Sequence, residues 1–210
     1  LGRFAPIRFY DPVVALTRER LWRGLVAEHV APQADDVIVD VGCGTGSLAL
    51  LLHRVAPRAR IIGVDPDHQV LARARRKADD AGAGATVEWR VGLGDALPEV
   101  VGPGSADVVV SSLVLHQCPM ATKRAVLASM FAVLRPGGRL VVADYGLQRD
   151  RSMRLAFRVV QFADGKQDTQ PNADGVLPGL MAEAGFVDVR EAHVVRTITG
   201  SISVYVGRRE

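Results

Sequence analysis

Val37-Ile38-Val39-Asp40-Val41-Gly42-Cys43-Gly44-Thr45-Gly46-Ser47 decides the fold of this chain. The apolar run Val37 to Val41 predicts a buried strand. Glycines at 42, 44 and 46 predict a turn, and the apolar segment Leu48 to His53 opens a helix. Strand, glycine turn and helix make a nucleotide-type site. Glycine lets the backbone approach a ligand closely, and a helix N-terminus offers unpaired N–H groups to a carboxylate or phosphate. Asp40, two residues before the first glycine, selects among ligands. A carboxylate there repels a pyrophosphate and suits a ligand with a positive group, such as an α-amino group. Gly42-x-Gly44-x-x-Ser47 also lacks the third glycine of the dinucleotide fingerprint.

Outward from this stretch, strands and helices alternate, which predicts an α/β fold with a parallel sheet covered on both faces. Strands are expected near 37–41, 60–64, 86–91, 106–112 and 138–144, with helices near 46–56, 67–82 and 121–134. Leu16 to Val30 reads as an amphipathic helix ended by Pro32. Arg135-Pro136-Gly137-Gly138-Arg139 is expected to stop a helix, with Gly137 as its C-cap. Leu147 to Phe162 reads as helical, Gly165 to Gly175 as a polar, mobile loop, and Leu177 to Ala184 as a short helix closed by Gly185. Val187 to Thr197 and Ser201 to Gly207 alternate around Thr199-Gly200, an antiparallel hairpin.

The bulk properties narrow the class. A chain of 210 residues, 48% hydrophobic, supports a single core and one domain, 1–210. No apolar run is long enough to span a bilayer, and no basic-apolar-small leader opens the chain, which begins at Leu1. Two cysteines, Cys43 and Cys118, argue against a disulfide framework and fit a reducing cytoplasm. No His/Cys cluster has metal-ligand spacing, so no metal is expected. The net charge is only +3, aromatics are 5%, and no Lys/Arg block is interleaved with aromatics, so nucleic acid is not an expected partner.

The motif around Asp40, Gly42, Cys43, Gly44 and Gly46 closely resembles motif I of the class I S-adenosylmethionine-dependent methyltransferases. The resemblance runs from Leu16 to the C-terminus and implies a Rossmann-like seven-stranded sheet, mostly parallel, ending in an antiparallel hairpin. It implies S-adenosylmethionine as cofactor, with S-adenosylhomocysteine as product. Ile61-Ile62-Gly63-Val64-Asp65-Pro66-Asp67 is a second buried strand ending in an acid. Asp65 there suits the ribose hydroxyls, a chemistry shared with NAD sites, beside Pro66, while Asp67 fits a helix cap. The family's Gly-Asp-Ala segment, matched by Gly94-Asp95-Ala96, meets the adenine amino group, and Val70 or Leu71 packs on the ring or in the core. The backbone of Ser111 and Ser112, ending the fourth strand, is assigned to the methionine end.

Two residues are candidates for chemistry. In small-molecule members of the family a Leu-His similar to Leu115-His116 touches cofactor or acceptor or acts as a base; otherwise His116 bonds loop backbone. Tyr10, before the first helix, resembles an aromatic that closes over the cofactor; otherwise it staples that helix. No Asn/Asp-Pro-Pro-aromatic tetrapeptide follows the fourth strand, which turns the expectation from amino nitrogens of bases and glutamines towards a small-molecule or lipid acceptor. The resemblance is to the group that includes quinone-biosynthesis and bacterial phospholipid methyltransferases. Residues 1–32 then form an N-terminal cap and 147–185 a substrate lid, with Arg151, Arg154 and Arg158 on one helix face. A cytoplasmic small-molecule methyltransferase is the leading reading; the basic face suits an anionic acceptor with a hydrophobic body, such as a phospholipid at a membrane surface reached by peripheral contact, and is otherwise an ordinary solvated helix face. An NAD-dependent oxidoreductase and a non-catalytic S-adenosylmethionine-binding subunit are the alternatives. Oligomeric state is not legible.

Overall fold

The computed structural model describes residues 18–210, so Tyr10 and most of the expected N-terminal cap lie outside the described residues. α1 (Glu19–Val30) leads into β1 (Val37–Val41), α2 (Ser47–Val55), β2 (Arg60–Asp65), α3 (His68–Asp80) and β3 (Val87–Val91). Next come α4 (Leu97–Val101), β4 (Ala106–Ser112), α5 (Met120–Val133) and β5 (Leu134–Tyr145). After α6 (Arg151–Asp164), α7 (Lys166–Ala173) and α8 (Leu177–Glu183), a hairpin of β6 (Val187–Thr197) and β7 (Gly200–Arg208) completes the sheet.

The seven strands lie in the order β3-β2-β1-β4-β5-β7-β6. The first five are parallel, and β7 is antiparallel to both β5 and β6. The near-continuous apolar strands β1, β2 and β4 are buried because helices cover both faces. On one face Trp22, Val26 and Val30 of α1, Leu48 and Leu52 of α2 and Phe157 of α6 pack on Ile38, Ile61, Val108 and Val110. On the other, Val126, Leu127, Met130 and Val133 of α5 with Leu180 of α8 pack on Val39, Ile62, Val109 and Leu140. The chain winds outward in opposite directions from β1 and β4, so a crevice opens beyond their C-terminal ends, where open α/β sheets take their ligands.

Two expectations are corrected. Gly137 does not cap a helix: α5 ends at Val133 with Leu134 extended, and the 135–138 segment is a bulge between the Ala106↔Leu134 and Val108↔Arg139 pairs. Gly137, at φ 79°, turns that bulge and donates its N–H to Arg209 O at 2.8 Å. Gly165 to Gly175 is not a loop but contains α7; Lys166, Gln167 and Asp174 are exposed, while Thr169 and Asn172 turn inward. Thr169 Oγ1 donates back to Gly165 O (2.7 Å), and Asn172 Nδ2 donates to Tyr145 O (3.0 Å), so these polar side chains are buried with partners rather than solvated.

Gly63, mid-strand in β2, is there for close packing. A Cβ at this position would lie 2.6 Å from the Trp89 ring and 2.9 Å from Cys43 Sγ in the glycine turn. Gly63→Ala is therefore expected to lower the unfolding free energy by about 1–3 kcal/mol through overpacking, measured by urea unfolding. An unchanged midpoint would show that Trp89 swings aside at no cost.

Candidate active site

A cavity of about 900 Å³ occupies the crevice. It is lined by Val41 to Thr45 after β1, Val64 to Asp67 after β2, Gly92 to Asp95 after β3 and Ser112 to Val114 after β4. Every first-half strand thus contributes its C-terminal end. Trp22 and Arg23 of α1 and the segment Phe162 to Asp168 at the α6–α7 junction close the other side.

The glycine turn is shaped by its surroundings. Gly42, Gly44 and Gly46 all have positive φ (69°, 54° and 77°). A Cβ on Gly42 would meet Val114 at 2.3 Å and one on Gly46 the Trp89 ring at 2.3 Å, whereas nothing lies within 4 Å of the position on Gly44. Gly44 is therefore the glycine that leaves room for a ligand, and Gly46 the one that packs the helix start. Lys77 of α3 donates to Thr45 Oγ1 (2.8 Å) and Ser47 Oγ (3.3 Å), fixing the turn from behind.

Asp65 accepts the Gly44 N–H at 3.0 Å on one oxygen and the Asp67 N–H at 2.9 Å on the other. Each oxygen keeps a further lone pair towards the cavity it lines. Partial burial raises its pKa, against the pull of the two amides. Asp67 caps α3, accepting from the N–H groups of Gln69 (2.8 Å) and Val70 (3.2 Å). Asp95 sits exposed on a 3₁₀ turn (Gly94–Ala96) at the cavity wall and makes no hydrogen bond among the described residues.

Asp40 is fully buried, and neither carboxylate oxygen has a hydrogen-bond partner. Burial pushes its pKa up to about 7, the Arg23 guanidinium pulls it down, Asp65 pushes it further up, and the Ala49 N–H, beyond ordinary hydrogen-bond geometry, pulls it slightly down. An orphaned buried carboxylate is costly, and such a group next to a ligand cavity is what a cationic ligand group would stabilise.

The residues expected from the sequence divide in two. Gly42, Cys43, Gly44, Asp65, Pro66, Val70, Gly94, Asp95 and Ser112 line the cavity. Asp40, Gly46, Ala96, Ser111 and His116 lie behind its wall. Ser111 Oγ donates to Val41 O (2.8 Å), tying β4 to β1 inside the sheet. Cys43 is buried, and burial pushes its thiol pKa well up, which leaves it a packing residue.

His116 is buried among charges. Its Nδ1 donates to Asp144 Oδ1 (2.7 Å), its Nε2 faces Asp164 Oδ2 at 3.5 Å, and the Tyr145 ring stands edge-on to it. Burial alone lowers the pKa of the ring, but the two carboxylates outweigh it and bring it to about 9. An imidazolium at neutral pH has no lone pair to offer as a base, so His116 is better described as a cationic tie than as a proton acceptor.

Sequence reasoning missed the groups that hold this wall. Asp144, at the end of β5, accepts the N–H groups of Val114 (3.1 Å), Leu115 (2.7 Å), His116 (3.3 Å) and Tyr145 (2.7 Å). Lys123, fully buried, donates to the carbonyls of His116 (3.3 Å), Cys118 (2.6 Å) and Asp168 (2.9 Å) and also contacts Leu115 O. The signal for Asp144 was present: like Asp40 and Asp65 it is an acid ending an apolar strand.

The comparisons with known proteins agree with this architecture. A methyltransferase domain model matches residues 38–138. A ubiquinone/menaquinone biosynthesis C-methyltransferase from Desulfotalea psychrophila is 26% identical, with 94% of this chain and 83% of that protein covered. A demethylmenaquinone methyltransferase from Thermus thermophilus is 34% identical, covering 66% of this chain and 60% of that protein. Among solved structures, a putative O-methyltransferase from Nostoc punctiforme superposes with a TM-score of 0.72 at 19% identity, over 97% of this chain and 59% of that one, a likeness of fold. The fold is the Rossmann-like fold of methyltransferases. In fold and in the segment 38–138 this chain is similar to S-adenosylmethionine-dependent methyltransferases.

The linkage of His116 to stability has a definite sign. Its folded pKa, about 9, lies above the ordinary value of 6.5. The stabilisation is therefore complete below about pH 6.5 and disappears as pH rises through about 9. Relative to His116→Gln, the wild-type advantage is expected to shrink by about 2–3 kcal/mol between about pH 6 and pH 10. Urea unfolding of both proteins across that range checks it; a difference independent of pH would mean that the ring is neutral in the fold.

Proposed function

We propose that this protein transfers a methyl group from S-adenosylmethionine to a small-molecule acceptor held in the same cavity. The observation that carries the reading is the juxtaposition at the switch point of a glycine turn with open space at Gly44, an Asp65 with spare lone pairs, and an orphaned Asp40. The residues present fit the cofactor. Asp65 would accept from the ribose hydroxyls, Asp95 from the adenine amino group, and Val70 would pack on the ring. Gly42 to Gly44 would receive the methionine carboxylate, with Asp40 supplying charge for the ammonium group and the Ser112 backbone flanking it. When bound, S-adenosylmethionine supplies a methyl group already activated on a sulfonium.

What remains for this chain is to align and desolvate the acceptor. Trp22, Leu113, Val114 and Phe162 give the outer part of the cavity an apolar, partly aromatic wall, while Gln117, Asp164 and Lys166 are polar groups available to orient an acceptor. Such a wall suits a flat, largely apolar body, in keeping with relatives named for quinone biosynthesis. No proton is assigned to His116, whose ring nitrogens both face carboxylates. The segment 147–185 serves in this reading as the lid over the acceptor. An NAD-dependent oxidoreductase is disfavoured by a buried carboxylate where a pyrophosphate would bind, and by the missing third glycine.

Calorimetry with S-adenosylmethionine, S-adenosylhomocysteine and NAD tests the proposal: the first two are expected to bind and NAD is not. Tight NAD binding with no response to S-adenosylhomocysteine would overturn it. Asp95→Ala gives a sharper check, because nothing in the described fold depends on that side chain. It is expected to weaken S-adenosylhomocysteine by about 10–100-fold, the loss of a charge-assisted hydrogen bond, with an unchanged melting temperature. Undiminished affinity would remove Asp95 from the site.

A further inference from the structure

The outer face of α6 is unusual for a surface helix. Its inner face is anchored by the buried Met153, Phe157 and Val160. Its outer face exposes Leu155 (63%), Val159 (63%) and Phe162 (88%), spaced i, i+4 and i+7. Arg151, Arg154 and Arg158 share that exposed side. The acids bounding the helix are already engaged: Asp150 accepts the Met153 N–H at 2.8 Å and pairs with Arg196 at 2.9 Å, while Asp164 faces His116. Arg154 Nε donates to Gln148 O (3.0 Å), but Arg151 and Arg158 have no ion-pair partner among the described residues. The result is a positive, apolar ridge with no compensating acid of its own.

The ridge is continuous with the cavity. Phe162, its most exposed apolar side chain, also lines the cavity, next to Lys166 of α7. An interfacial helix has this composition: apolar side chains enter the headgroup–acyl boundary, and arginines lie along the anionic headgroups with their stems covering apolar surface. Among the described residues no helix is long and apolar enough to cross a membrane, so contact through α6 is peripheral.

We propose that the outer face of α6 docks on an anionic lipid surface and sets the mouth of the cavity against the bilayer, so that an amphiphilic acceptor enters past Phe162 without crossing water. The docking stands on the helix face alone; the entry route rests on the methyl-transfer reading above. Charge selects the occupant. A second copy of this chain would bring the same arginines to the interface, whereas an anionic bilayer supplies the complementary sign.

Vesicle co-sedimentation of the full chain, with phosphatidylcholine alone and with phosphatidylcholine containing phosphatidylglycerol, tests the docking. Binding is expected only to the anionic vesicles and to weaken with salt. Arg151→Glu with Arg158→Glu should reduce the partition coefficient by tenfold or more. Leu155→Ser with Val159→Ser should reduce it severalfold at equal charge. S-adenosylhomocysteine affinity is expected to stay at the wild-type value in both variants, which shows that they fold and keeps a failure of docking apart from a failure of the methyltransferase reading. Absence of binding to anionic vesicles, or binding unchanged in both double variants, would overturn the proposal. So would a concentration-dependent dimer in sedimentation velocity that Leu155→Ser with Val159→Ser dissolves, which would assign the face to a second copy.

Discussion

The cavity wall depends on one buried carboxylate. Asp144 takes the backbone N–H groups of three successive residues, Val114 to His116, together with the His116 ring and its own neighbour Tyr145. A carboxylate that collects several N–H donors repays its desolvation through charge-assisted bonds. Here the donors belong to the turn that follows β4, the strand beside the glycine turn. Without an anion at that point, three N–H groups of a partly buried turn would have no acceptor, and the turn would have no reason to hold one shape. Lys123 does the converse on the carbonyl side of the same turn, and reaches Asp168 O of α7 as well. One anion and one cation, neither of them facing the cavity, therefore fix both polarities of a wall that does.

The fold was largely legible in the sequence because its signals are local and redundant. The short apolar runs at Val37–Val41 and Arg60–Asp65, each followed by turn residues, read as buried strands, and the alternation at Val187–Thr197 marks an edge strand with a wetter face, whereas β7 is buried on both sides. The failures share a cause. Gly165 to Gly175 looked solvated because it is polar, yet Thr169 and Asn172 are buried with partners far along the chain or one turn back. Gly137 looked like a cap because glycine after a helix usually is one, but here the residue serves a bulge made by strand pairing. Neither outcome is encoded within the segment itself; each depends on what tertiary contacts supply.

The candidate site was legible in its turns and opaque in its supports. Acids and glycines at strand ends declare themselves by position, which is how Asp40, Asp65 and Asp95 were found. For His116 the sequence leaves a contact, a base or a backbone tie open, since a lone histidine in sequence does not reveal the two carboxylates around it. The lysines carried a quieter signal. Only Lys77, Lys123 and Lys166 occur in an arginine-rich chain. Lys77 holds the glycine turn, Lys123 the turn after β4, and Lys166 lines the cavity. At Lys77 and Lys123 a compact ammonium fits among hydroxyl and carbonyl oxygens where a planar guanidinium would not.

The same geometry explains why the two sides of the cavity behave as different materials. On the sheet side, Asp65 binds backbone from two segments at once and strand ends converge from the core, so positions are fixed before any ligand arrives. On the α6–α7 side, the ties next to the cavity are His116 to Asp164 and Lys123 to Asp168 O, with Asn172 Nδ2 to Tyr145 O further along α7. The 3.5 Å separation of the first is that of a weak ion pair beside the 2.7 Å bond to Asp144. His116 is thus anchored firmly to the sheet and loosely to the helix. The charge pairing of His116 therefore rests on the sheet, while the position of α6 is set by the burial of Met153, Phe157 and Val160 against the core.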